Sequence, residues 1–227
     1  VDINKVLTTA ALTKVAKLLK EDAMRIFGLL ILVFGLSACS KNSSPDAAQF
    51  TTGGFASLKA DGTIDVDLTD RTGGIYIDGN GQGFSYVLGL SGPNLVAFAA
   101  QGPWQPAVAP PTTGKIRFQT QYAVAAYANV AVIETGGVYN VQGIKKRQNG
   151  TLVLDADLLN GTVTGKDENL SVSATISGTD LKGAVSYLGM TGDLQGRISE
   201  DVVQGAFSGE MGADVFAGGF RGEAISE

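Results

Sequence analysis

Leu181-Lys-Gly183-Ala-Val185, Leu194-Gln-Gly196-Arg-Ile198, Val203-Gln-Gly205-Ala-Phe207 and Phe216-Ala-Gly218-Gly-Phe220 repeat one pattern, apolar-x-Gly-x-apolar. In an extended chain, side chains two apart share a face, so the three key positions of each copy look the same way. A glycine flanked by large apolar residues on one face lets a strand coil strongly, or lets a neighbour approach closely. Repeated along consecutive strands, the pattern predicts a small closed barrel with a tapering, filled interior. Closure would also remove the free edges that a Gly-rich sheet otherwise exposes. A sandwich carrying ordinary bulges is the alternative.

Upstream of this repeat the chain stays β-competent. Tyr122 to Ile133 is a long run, and Gly136-Gly137 turns it into Val138 to Ile144. Lys145-Lys-Arg-Gln-Asn-Gly150 reads as a polar turn, followed by the strand Thr151 to Leu159. Asn160-Gly161 then predicts a hairpin, since an Asn-Gly turn places both residues at φ > 0. Earlier, Thr63-Ile-Asp-Val-Asp-Leu68 alternates strictly, with Ile64, Val66 and Leu68 on one face and Asp65 and Asp67 on the other. Gly74 to Asp78, Phe84 to Leu88 and Asn94 to Ala99 are further strands. Almost no helix is expected in this part of the chain. Residues 102–113 hold four of the six prolines and read as a linker between a small β region, 50–101, and the barrel, 114–227. Within that linker Trp104 is either an exposed ligand platform or a ring packed over an end of the β-structure.

The start of the chain reads as an address. From Met24, one positive charge (Arg25) precedes an apolar stretch from Ile26 to Leu36, then small residues and a cysteine. This is the plan of a secretory signal, with a signal helix too short to span a bilayer, which takes ~20 apolar residues. Leu36-Ser37-Ala38-Cys39 resembles a bacterial lipobox, which implies cleavage after Ala38 and acylation of Cys39, the chain's one cysteine. Two or more acyl chains anchor a protein stably, where one is marginal. Ser40 in place of Asp implies, by resemblance to lipoprotein sorting, the outer membrane. Residues 1–23 read as upstream sequence from a mis-called start, 24–38 as the signal and 39–49 as a small, polar, flexible tether.

Composition narrows the chemistry. The 227 residues include 31 Gly, one Cys and no His, with a net charge of −5. From Cys39 onward there are 12 basic and 19 acidic side chains. The acidic balance argues against a nucleic-acid partner. Without His, a Cys/His zinc site and a Ser-His-Asp triad are both excluded. Asp65/Asp67 and Asp155/Asp157 are i, i+2 carboxylate pairs that acid–base chemistry or Ca²⁺ would need, but they also suit a solvated strand face. Asp78-Gly-Asn-Gly-Gln-Gly83 opens like a calcium loop, yet the twelfth position falls on Gly89 instead of Glu, so a turn is expected. With no His, haem would need Tyr, Met or Lys as its axial ligand, and Tyr187, Met190 and Met211 are available. No cofactor, no metal and no enzyme activity are expected. Lys145, Lys146 and Arg147 form the one basic cluster after Cys39, placed to attract an acidic partner or to solvate a hairpin tip.

From about Gly114 to Glu223 the chain resembles the barrel domain of the transferrin-binding protein B-like surface lipoproteins. The resemblance rests on Ala126-Tyr127, Gly150-Thr-Leu-Val-Leu-Asp-Ala-Asp157, Asn160-Gly-Thr-Val-Thr-Gly165, Gly205-Ala-Phe-Ser-Gly209 and Ala217-Gly-Gly-Phe220. Ala156 departs from it, standing where that family usually carries an aromatic, and the last hairpin is short. The resemblance implies an all-β chain: an up-and-down, eight-stranded barrel preceded by a β "handle" over 50–101. It also implies a surface-displayed binding protein that captures a solute or a host protein. From the residues themselves, Trp104, Lys145, Lys146 and Arg147 are the candidate contacts, and a monomer is expected. A structural envelope lipoprotein without a soluble ligand is the alternative.

Overall fold

Alternating side chains become strand after strand in the computed structural model, which describes residues 53–104 and 108–225. The signal helix, Ala38, Cys39 and the tether lie outside the described residues. A four-stranded sheet comes first: β1 (Gly54–Phe55), β2 (Thr69–Ile77), β3 (Gly83–Ser91) and β4 (Asn94–Gln101). Its order is β1-β4-β3-β2, with β1 parallel to β4. There follow β5 (Lys115–Thr135), β6 (Val138–Asp157), β7 (Thr162–Lys166), β8 (Leu170–Ser177), β9 (Asp180–Tyr187), β10 (Met190–Ile198), β11 (Val202–Met211) and β12 (Asp214–Ile225). These eight pair with their sequence neighbours, and β12 closes on β5 from Val215↔Tyr127 to Ile225↔Arg117. The result is the closed antiparallel barrel that the glycine pattern predicts.

Strand register explains that pattern. On β11 and β12, Gly205 stands opposite Phe220, Phe207 opposite Gly218, and Gly209 opposite Phe216. Each ring lies over the bare backbone of the glycine across from it. A Cβ on Gly205 would sit 2.5 Å from Cζ of Phe220, and one on Gly218 would sit 2.8 Å from the Phe207 ring. The rings therefore lie down along the sheet, and a narrow barrel holds three phenylalanines on two adjacent strands without over-packing. Phe118, Leu154, Val185, Leu194 and Ile198 complete the filled interior.

The outer face of the same strands carries the small sheet. Ala123, Ala125, Ala206 and Ala217 are fully buried with Phe84, Tyr86, Leu88 and Ala99. Small side chains make a flat bed, and at Gly219 the Phe84 ring lies directly on the backbone: a Cβ there would sit 2.3 Å from Cγ of Phe84. Gln204 fastens the two ends of this sheet, accepting from Gly83 N–H at 3.0 Å and donating to Gly102 C=O at 3.2 Å. All of it is buried. Gln204→Ala strands one backbone donor and one acceptor, so a loss of about 2–4 kcal/mol is expected in urea unfolding; an unchanged midpoint would contradict the fastening role.

Three local expectations are corrected. Thr63–Leu68 is no ladder strand, because it folds back on residues 57–59 and makes one isolated bridge, Leu58↔Ile64. The alternation encoded half-burial, with Ile64 and Leu68 inside and Asp65 and Asp67 outside, without encoding a partner. Lys145–Gly150 is no turn: it pairs with Tyr122–Tyr127 in mid-β6. At the β6–β7 connection the loop is Leu158–Gly161, and of these residues only Gly161 has positive φ, at 63°. Asp157 does the remaining work by accepting from both nitrogens of Asn160.

Candidate functional site

β5 and β6 outlast the barrel. β12 follows β5 only to Tyr127, and β7 meets β6 only from Leu154. Residues 128–145 consequently project as a two-stranded ribbon, kinked by a bulge near Asn129, whose φ is 54°. Its Ile133, Val138 and Ile144 are exposed. Nothing in the alternation of residues 122–144 distinguished paired from projecting strand, because both satisfy the same period.

The basic cluster lies where this ribbon leaves the barrel. Lys145 Nζ is 2.7 Å from Asp70 Oδ1 and 5.2 Å from the centre of the Tyr127 ring. Its hydrogen bond to Asp70 raises the Lys145 pKa and lowers that of Asp70. Arg147 donates to Thr72 Oγ1 and, at 3.1 Å, to Gly73 C=O. Both side chains thus seat β2 on β6, and the acidic group that Lys145 meets is internal. Lys146, on the opposite face of the strand, is exposed. Trp104 sits half-buried just past β4. Tyr187 and Met190 are core residues, whereas Met211 is exposed at a hairpin.

One mouth of the barrel is closed by a polar chain that the sequence did not announce. Tyr187 Oη donates to Gln148 Oε1 at 3.2 Å, Gln148 Nε2 donates to Tyr122 Oη at 2.8 Å, and Tyr122 Oη donates to Asp167 Oδ2. Asp167 Oδ1 also accepts the N–H groups of Asn169 and Leu170. Burial pushes the Asp167 carboxyl up, but these three donors outweigh it and leave the pKa below its ordinary 3.8. Burial, then the Asp167 charge, raises Tyr187 above 10.0. Burial and the hydrogen bond to Asp167 do the same for Tyr122.

These shifts set opposite pH limits. The tyrosines keep their protons longer in the fold than in the unfolded chain, so their contribution is complete below pH 10.0 and declines as pH rises beyond it. Asp167 contributes above its unfolded value and loses that contribution as pH falls through its lower folded pKa. Urea midpoints measured against pH should therefore fall at both ends, and Asp167→Asn should flatten the acid limb.

The main concavity lies outside the barrel, between it and the small sheet. This cleft of about 880 Å³ is floored by the outer faces of β12, β5 and β6 and overhung by Ile75, Tyr76 and Ile77 of β2. Register lays the floor in rows, Arg221–Gln121–Thr151 and Glu223–Gln119–Val153. Tyr76 stacks on Phe84 with ring centres 5.1 Å apart and donates to Asn149 Oδ1 at 3.1 Å. Arg221 Nη2 reaches Gln82 Oε1 and Asp78 Oδ2, each at 3.1 Å, while its buried Nε has no partner. Asp78 serves the turn: its Oδ1 accepts the N–H groups of Asn80 and Gln82. The other carboxylate pairs are spread over solvated faces, where Asp65 meets Lys59 and Asp155 meets Arg117. The closed, filled barrel with a sheet docked on its wall leaves a polar cleft at their junction as the candidate site.

No family model matches the chain, and no curated protein matches it. Among solved structures it is similar to the haemoglobin receptor HpuA from Kingella denitrificans, at 13% identity and a TM-score of 0.38, over 66% of this chain and 57% of that one. It is also similar to transferrin binding protein B from Neisseria meningitidis, at 13% identity and a TM-score of 0.41, over 74% of this chain and 37% of that one. A Phe-171-Ala mutant of transferrin binding protein B from Actinobacillus pleuropneumoniae matches at 13% identity and a TM-score of 0.43, over 82% of this chain and 89% of that one. The kind of protein that the barrel motifs resemble is thus present among its structural neighbours. At these TM-scores the likenesses carry no argument about its ligand, and the barrel stands on its own strand pairing.

Proposed function

We propose that this chain is a lipid-anchored binding protein of a bacterial outer membrane, displayed at the cell surface and holding its ligand outside the barrel. One observation carries the binding half: the barrel interior is occupied by its own side chains, whereas the junction cleft keeps polar groups without partners. The anchoring half rests on Leu36-Ser-Ala-Cys39 behind an apolar signal core. Mass spectrometry of the native protein should find an acylated Cys39 at the N-terminus, and Cys39→Ser should move the chain from the membrane to the soluble fraction. Protease added to intact cells should degrade it. An unacylated chain beginning before Cys39 would overturn the anchor, and protection from protease would overturn surface display.

A further inference from the structure

Several features of the junction cleft agree on one ligand chemistry. Gln119 and Gln121 are exposed on its floor and hold no hydrogen-bond partner among the described residues. A planar amide offers two donors and an acceptor in one plane, and two such groups on the same face of β5 repeat at the strand's two-residue spacing. The Thr151 hydroxyl lies across from Gln121. The overhang is apolar where the floor is polar: Ile75 and Tyr76 are 49% and 41% exposed, side by side on β2. Tyr76 is held by its stacking on Phe84 and its bond to Asn149, so its ring is already positioned before anything binds.

Charge and edge geometry exclude competitors. Charged groups on the cleft wall are two carboxylates, Asp78 and Glu223, against one guanidinium, Arg221, and Arg221 is already paired with Asp78. A phosphate or a carboxylate-rich ligand would meet net negative charge. An extended peptide would seek the outer edge of β2, but Arg147 already occupies Gly73 C=O on that strand.

We infer that the cleft binds a neutral saccharide chain, with Gln119, Gln121 and Thr151 bonding its hydroxyls and Tyr76, Ile75 and Ile77 covering the apolar face of a pyranose ring. This rests on the reading of the chain as a binding protein and names the ligand class of that same site.

The test uses the full chain in lauryldimethylamine oxide, since maltoside detergents are themselves neutral disaccharides. Maltotriose, chitotriose, xylotriose and mannotriose are titrated by calorimetry and ligand-observed NMR, with sialyllactose as an anionic comparison. At least one neutral trisaccharide should bind with a Kd of about 0.1–1 mM, and sialyllactose should bind more weakly. The paired change Gln119→Ala and Gln121→Ala should weaken it about tenfold or more while leaving the thermal midpoint in place, because both side chains are exposed. Tyr76→Ala should weaken it too, and Thr151→Val supplies a second, conservative loss of hydrogen bonding. No binding of any neutral trisaccharide overturns the inference, as does preference for sialyllactose or binding indifferent to the glutamine changes. Those failures are separable from failure of the wider reading, which acylation and protease access on intact cells measure without any sugar.

Discussion

Gly219→Val should loosen the small sheet from the barrel and cost about 1–3 kcal/mol, the usual range of an over-packed core. Gly219 is not among the positive-φ glycines, so its backbone tolerates a side chain. The obstacle is steric: a Cβ would lie 2.3 Å from Cγ of Phe84 and 2.6 Å from Gly205 O. Phe84 is nearly fully buried and stacks with Tyr76, so displacing it also moves the overhang of the cleft. Hydrogen exchange should accelerate at β3 and β4, while β8 and β9, which lie outside the shared cluster, stay protected. A variant whose urea midpoint and β3 protection match the parent would show that the sheet is not seated on that glycine.

The second large effect lies inside the barrel. Gly205→Val should cost about 1–3 kcal/mol, since its side chain would crowd the Phe220 ring. Phe220→Ala should cost about 3–5 kcal/mol through the cavity it leaves. Combined, they should cost less than their sum by at least about 1 kcal/mol, because the valine fills part of what the phenylalanine vacates. Additive losses in a double-mutant cycle would mean that the ring does not lie over the glycine. The same logic extends to Phe207 over Gly218.

The barrel was legible because its cause is local and periodic. Leu194, Gly196 and Ile198 announce one strand face by spacing alone, and four copies of that spacing announce consecutive strands. The calcium-like loop at Asp78 was legible as a turn for a similar reason: a missing carboxylate at one fixed offset decides it. The filled interior followed from the same apolar positions, which all turn inward.

Polarity misled where tertiary partners reverse its meaning. Lys145-Lys-Arg147 has the composition of a tip, yet its backbone pairs with β5 in mid-strand, and Asp70 and Thr72, more than 70 residues earlier, take up the Lys145 and Arg147 side chains. Thr63–Leu68 has the alternation of a strand, yet no neighbouring backbone arrives to pair with most of it. The cleft was illegible altogether. Gln119, Asn149, Tyr76 and Arg221 are unremarkable in sequence, and they share a wall only because β12 closes on β5 and the small sheet docks across them.

From its amino acids alone this protein determined its strand faces and its glycine–aromatic interior, since each depends on spacing along one chain. Tertiary structure alone decided where the small sheet sits, which strands project and what lines the cleft. Those depend on surfaces brought together by closure, and no period along the chain records which surfaces will meet.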